Sequence, residues 1–160
     1  MADGGASELI MLITGLLTAG IVTSLLIASW GGLASSVDTA QTQVEVDSKT
    51  RAALASDPMQ IPWNQTTCNL TLYIQNTGSV DLIVDNIGVV VNGTASSVNN
   101  TQLIGTTPDW IKGEVAALTI CPVGLTFSTG QEIYVTVIVR SEFYKGVSGQ
   151  YSFSEVIRLV

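Results

Sequence analysis

The hydrophobic pattern divides the chain into two regimes. From Leu9 to Val37 no charged residue occurs. A helix of that length, at about 1.5 Å per residue, reaches across a hydrocarbon core of about 30 Å, and it exceeds the short apolar core of a secretory signal. Residues 1–37 are therefore expected to form a hydrophobic transmembrane or assembly helix. Asp38 to Ser56 is polar, lacks Gly and Pro, and contains good helix formers such as Gln41, Glu45, Lys49, Arg51 and Ala52. It predicts a helical stalk over residues 38–58, with Val37, Ala40 and Val44 as a thin apolar stripe and Glu45–Lys49 as an i,i+4 pair. Asp57-Pro58 marks the stop, because a residue before proline disfavours the helical region.

Beyond that point the period changes to two. Leu70, Leu72 and Ile74 fall on one face, with Thr71, Tyr73 and Gln75 on the other. Asn76–Ser79 reads as a turn, followed by strands at Val80–Val84 and Val89–Val91. A loop with Pro108 and Trp110 leads to Glu114–Ile120, and then to Gln131–Arg140, where Ile133, Val135, Val137 and Val139 share a face. A last pair lies around Phe143 and over Gln150–Leu159. Seven or eight short strands at this spacing predict an antiparallel, immunoglobulin-like β-sandwich over residues 59–160. The expected fold is thus α plus all-β: one long N-terminal helix and an extracytoplasmic sandwich of about 100 residues, enough for one core.

Composition narrows the functions. The net charge is −7, with six Lys and Arg against thirteen Asp and Glu. Nucleic-acid binding needs a basic face, and docking on anionic lipid heads needs the same, so both are disfavoured. The chain has no histidine, which removes the usual general base near neutral pH and the commonest metal ligand. No phosphate-binding glycine loop, nucleophile elbow or calcium loop occurs. A binding or structural role is expected, without catalysis, cofactor or metal.

Two features point to the cell exterior. Cys68 and Cys121 lie in separate halves of the β region. A bridge between them would close a loop of about 54 residues and contribute roughly 3–4 kcal/mol in the loop-entropy model; the alternative is two buried thiols acting as small hydrophobes. Four sequons, starting at Asn64, Asn69, Asn92 and Asn99, are candidate glycosylation sites, although Asn92-Gly93 also suits a type I′ hairpin turn. Lys49 and Arg51 follow the apolar segment and no base precedes it, so a literal positive-inside count puts the C-terminus in the cytoplasm. Large C-terminal domains translocate with little regard to modest charge, and the exterior placement is preferred.

Within the apolar segment small residues recur four apart: Gly15 and Ala19, Gly20 and Ser24, Ala28 and Gly32. That spacing lets helix backbones approach closely. Trp30 suits an interfacial anchor, and Glu8 stands at the entrance, solvated at a headgroup boundary or paired with a neighbouring chain's amino terminus. The start, MADGGASE, carries two acids and no base, so the helix is expected to be retained and not removed with a basic leader. The C-terminal strand residues Val156, Ile157, Arg158, Leu159 and Val160 are the preferred candidate for a free edge that pairs with a partner, and Val80–Val84 is the second.

The segment GASELIMLITGLLTAGIVTSLLIASW, the junction SDPMQIPWN and the strand-turn LTLYIQNTGSVDL together resemble the archaeal flagellar protein G family, stator-associated proteins of the archaellum. The resemblance covers about half the chain. It implies one membrane helix, an exterior β-sandwich, and assembly with the F-type stator partner and the surface-layer protein. The chief alternative is a filament subunit, an archaellin or archaeal type IV pilin-like protein that polymerises with further archaellin subunits through its helix. In that case a mature chain starting at Gly4 or Gly5 would put Glu8 at or next to the fifth position, as in pilins. A third reading is a glycan- or surface-layer-binding module, since sandwich recognition surfaces have no short signature.

Overall fold

The structure, a computed structural model, describes residues 4–105 and 107–160; the first three residues of the acidic start lie outside them. One helix, α1, runs from Gly4 to Lys49. The chain divides into two compact units whose boundary falls inside α1, between Gln41 and Thr42.

In the first unit every residue from Gly5 to Gln41 is exposed. Its polar residues turn inward on their own backbone. Thr14, Thr18, Thr23 and Ser36 donate to carbonyl oxygens three or four residues earlier, at 2.8–3.0 Å. Ser24 and Ser35 do the same. A hydroxyl satisfied in this way adds little cost to an apolar surrounding.

The second unit is an antiparallel β-sandwich with eight strands among the described residues: β1 (Ala52–Leu54), β2 (Trp63–Asn64), β3 (Asn69–Asn76), β4 (Gly88–Val91), β5 (Thr94–Leu103), β6 (Val115–Cys121), β7 (Glu132–Tyr144) and β8 (Val147–Arg158). Their order is β1-β3-β6-β5-β4-β7-β8, with β2 also on β3. β5 forms the corner: Thr94–Ser96 pairs with β4, and Ser97–Leu103 pairs with β6. The alternation read in β3 and β7 is what packs the interior. Leu70, Leu72 and Ile74 face Ile133, Val135, Val137 and Val139 across one core with Leu118, Ile120 and the fully buried Trp110. Trp63 meets Phe127 edge to face at 5.5 Å.

Tertiary pairing overrides the local pattern in four places. The helix stops at Lys49, and the expected end of the stalk becomes β1, with Ala52–Leu54 paired to Ile74–Asn76. Helix formers yield here because the edge of β3 offers hydrogen bonds and burial for Ala52. The expected stripe of Val37, Ala40 and Val44 is exposed, and Val46, about 200° round the helix from Val44, is the buried residue. Val80–Val84 forms no continuous strand; Leu82 alone bridges Trp110 and Ser141. Thr94–Leu103 is a ten-residue strand in a segment whose polar composition gave no strand signal.

The last two turns of α1 belong to the sandwich unit. Gln43 Nε2 donates to the Ser148 carbonyl oxygen at 3.0 Å, and the Gln150 N–H donates to Asp47 Oδ1 at 2.9 Å. Two glycines permit the approach. A Cβ on Gly149 would collide with Thr50 Oγ1 and the Val46 carbonyl oxygen, and one on Gly78 with the Lys49 carbonyl oxygen. The free carbonyls at the helix end are thus met by protein: Val46 O by the Thr50 N–H and hydroxyl, and Lys49 O by the Ser79 N–H.

Candidate assembly surface

The most distinctive surface is the apolar part of α1. Leu9, Ile10, Leu16, Leu17, Leu25 and Leu26 are each more than half exposed, as is Trp30 at 71%. Apolar side chains lie on all sides of the helix, the pattern of a helix that is buried in use. Gly15, Gly20 and Gly32 have open space where a Cβ would stand, and Ala19, Ser24 and Ala28 are exposed beside them, as is Glu8 at the helix start. All seven small or acidic positions singled out from the sequence therefore lie on this one accessible helix. The helix is long and apolar enough to cross a membrane, and none of that stretch is buried against the rest of the chain.

Cys68 and Cys121 are joined in a disulfide, with Cα atoms 5.1 Å apart. The bridge ties the β2–β3 turn to the end of β6. Cys68 sits there with φ of 53°, a conformation uncommon for a residue with a side chain. The four sequon asparagines divide into distinct environments. Asn64 Oδ1 accepts from the N–H groups of Thr66 and Thr67, closing the turn after β2. Asn69 is half-buried at the start of β3. Asn92, with φ of 47°, and Gly93, with φ of 82°, make the two-residue turn between β4 and β5, and Asn92 Oδ1 accepts from the Tyr134 N–H at 2.8 Å. Asn99 is exposed at a break in the β5–β6 ladder, between Val98, opposite Ile120, and Asn100, opposite Thr119.

The C-terminal strand differs from the expectation of a free edge. Ile157 and Leu159 are buried, and Val156 is exposed. The N–H groups of Arg158, Leu159 and Val160 donate to Pro58, Gln131 and Ile61 carbonyl oxygens, and Ile61 and Trp63 donate back to Arg158 and Val160. The segment thus runs parallel to residues 58–63, with Ile61 opposite Leu159. Arg158–Val160 has no unpaired edge to give, because a segment distant in sequence occupies it. Arg158 also pairs with Glu132 at 3.1 Å.

Charged groups form one notable cluster, beyond the apolar segment. Glu45 accepts from Lys49 Nζ at 2.6 Å and from Lys145 Nζ at 3.0 Å. The hydrogen bond from Lys49, then that from Lys145, holds the Glu45 carboxyl below the ordinary range, and the Glu45 hydrogen bond raises Lys49. Among the described residues no group of three or more Asp, Glu or Cys side chains is arranged to hold a metal ion.

An accessible apolar helix followed by a disulfide-bridged β-sandwich defines the class: a two-part chain with one helix of membrane-spanning length and composition. The family comparison is specific. A model of the archaeal-type flagellin family matches residues 2–153, both the helix and nearly all of the sandwich, and the chain belongs to that family. No individual curated protein matches it. Membership fits the filament-subunit alternative better than the stator reading drawn from the shorter resemblance.

Proposed function

We propose that this chain is a structural subunit of an archaeal flagellar filament, polymerising through α1 with its β-sandwich outside the cell. The observation that carries the reading is the family match across helix and sandwich together. The exposed helix supplies the physical reason. Burial of each large apolar side chain between Leu9 and Val37 contributes about 1.5–3 kcal/mol. The twenty-nine uncharged residues span about 44 Å as a helix, well beyond a hydrocarbon core of about 30 Å. A bundle of like helices buries the whole length, while a membrane covers only part of it. Before assembly the same helix serves as the membrane anchor. Residues 1–37 act as the assembly segment and residues 59–160 as the exterior domain. The role requires no catalysis and no cofactor.

Quantitative proteomics of sheared and purified filaments tests the proposal. This chain is expected as a bulk component, and its deletion should abolish or shorten filaments. A chain absent from sheared filaments, whose deletion leaves filaments assembled but unable to rotate stably, would overturn it. That result would return the protein to a stator role beside an F-type partner and the surface layer.

A further inference from the structure

The alternation along β7 is broken near its end. Val137, Val139 and Ser141 are buried in turn, and the next residue of that face would be Phe143. The ladder to β8 instead takes in one extra residue: Arg140 stands opposite Gln150 and Phe143 opposite Ser148, three steps on β7 against two on β8. One inserted residue moves the side chains beyond it to the other face. Phe143 therefore joins Arg140 and Gln150 on the outer face, and at 75% it is the most exposed large hydrophobic side chain described in the sandwich unit. The bulge is held in place. Buried Ser141 Oγ accepts from the Gly149 N–H at 2.8 Å, and Ser148 Oγ donates to the Ser141 carbonyl oxygen at 3.0 Å.

The tip of this hairpin is fixed to the last turns of α1. Lys145 pairs with Glu45, and the Ser148 carbonyl oxygen accepts from Gln43. Tyr144 follows Phe143, with the Nζ atoms of Lys49 and Lys145 at 5.0 and 5.4 Å from its ring centre. Aromatic rings and ammonium groups on one fixed corner are the chemistry that settles at a membrane–water boundary. The place in the chain fits. Only residues 38–42 separate Val37, the end of the uncharged stretch, from Gln43. Over those steps a helix rises about 9 Å, comparable with a headgroup layer of about 5–8 Å on each side of the core.

We propose that the β7–β8 hairpin tip, Phe143 with Tyr144 and Lys145, is an interfacial anchor that seats the sandwich on the lipid headgroups before assembly; this rests on the reading of α1 as the membrane anchor. The apolar stretch exceeds the hydrocarbon core by about 14 Å, so length alone does not fix its depth, and a second contact does. That contact can be weak, because the helix holds the tip at high effective concentration beside the surface. Phe143 carries it, with little help from charge. Glu45 engages both lysines, and Asp81 and Glu142 line the shallow pocket beside Phe143 and Tyr144. The anchor therefore works on neutral phosphatidylcholine and resists salt. Its rival is Trp30, which at the boundary would lift the tip about 10 Å further into water.

The test is fluorine NMR on the full-length chain, made with para-fluorophenylalanine and incorporated into phosphatidylcholine nanodiscs. Of the three phenylalanines, Phe127 is buried and Phe153 half-buried, so both serve as internal controls, and F143L assigns the Phe143 line. Lipid carrying a nitroxide at its headgroup should broaden that line. A water-soluble gadolinium chelate should broaden it several-fold less than it broadens free para-fluorophenylalanine, and high salt should change neither result. A Phe143 line as open to gadolinium as the free amino acid overturns the inference. So does one that the nitroxide lipid leaves untouched, the result expected if Phe143 is buried against a second copy. The two readings fail differently. A chain that does not enter the nanodiscs overturns the membrane-anchor reading and the tip together, whereas an inserted chain with Phe143 in water overturns the tip alone.

Discussion

Asn76 shows how one polar residue organises a turn. It is fully buried, and its Nδ2 donates to the Val80 and Trp110 carbonyl oxygens at 2.9 and 2.8 Å while Oδ1 accepts from the Gly78 N–H at 2.9 Å. Alanine there leaves the Val80 carbonyl oxygen without a partner, at about 1–3 kcal/mol for a group left dry, and takes one of two bonds from the Trp110 carbonyl oxygen, still met by the Leu82 N–H, and from the Gly78 N–H, still donating to Arg51. Water reaching the loosened turn recovers part of that, so Asn76→Ala should cost about 3 kcal/mol in a denaturant melt. Asn76→Asp keeps the acceptor, loses both donors, and should cost at least as much. The turn was legible in Asn76-Thr77-Gly78-Ser79, but the reach of Asn76 to Trp110 was not, because nothing in either segment specifies the other. Glu45 makes a milder case. Its carboxyl is held low in the folded chain, so its contribution is complete above the ordinary glutamate range and is lost as pH falls through the lowered folded value. Glu45→Gln in detergent-solubilised full-length protein should lower Tm slightly at neutral pH, and the difference should vanish in acid. A difference that grows in acid would mean that Glu45 acts through something other than its charge.

At the scale of elements, the helix and the strands were unequally readable. Period two located β3, β4, β6 and β7 because each buries alternate residues against one core. β5 escaped because it spans the corner between the two halves, and only Val98 and Leu103 press on the interior. The C-terminal edge was misjudged for a related reason: its parallel pairing with residues 58–63 is non-local and leaves no trace in either segment. The helix was legible almost to its end, and its small residues carry a further message. At about 100° per residue, Gly20 lies about 140° round the helix from Gly15, and Ala28 lies about 220° from it. The three close-packing pairs therefore look in three directions, as suits a helix surrounded by neighbours and not a simple dimer. Gly20→Leu meets open space within the chain and improves helix propensity by about 1 kcal/mol. It should leave the sandwich's melting unchanged yet abolish or strongly shorten filaments. The same large residue swapped for another, Leu25→Met, should assemble normally. Filaments of ordinary length from both Gly15→Leu and Gly20→Leu would show that the helices do not meet at these glycines.

At the scale of the molecule, the functional division of labour falls within a single helix. Residues 5–41 have no burial of their own, whereas Val46 and Thr50 are fully buried in the sandwich unit and Ala52 begins its first strand. The sequence pattern ended the apolar helix at residue 37 and began the sandwich at residue 59, after a separate polar stalk. The packing puts one boundary between Gln41 and Thr42. The two placements predict different behaviour for fragments. A fragment of residues 42–160 keeps the helix end, β1 and the disulfide, and should melt cooperatively as a monomer. A fragment of residues 59–160 loses the buried Val46, worth about 1.5–3 kcal/mol, and strips β1 from β3, which exposes a hydrogen-bonding edge. Against a typical domain stability of about 5–15 kcal/mol, the combined loss of about 4 kcal/mol or more should lower its midpoint sharply and promote association through the bared edge. Circular dichroism melts and sedimentation velocity on both fragments decide the matter. Equal stability and equal monodispersity would make the helix end an accessory. A monomeric 42–160 fragment beside a self-associating full-length chain would assign assembly to residues 1–41.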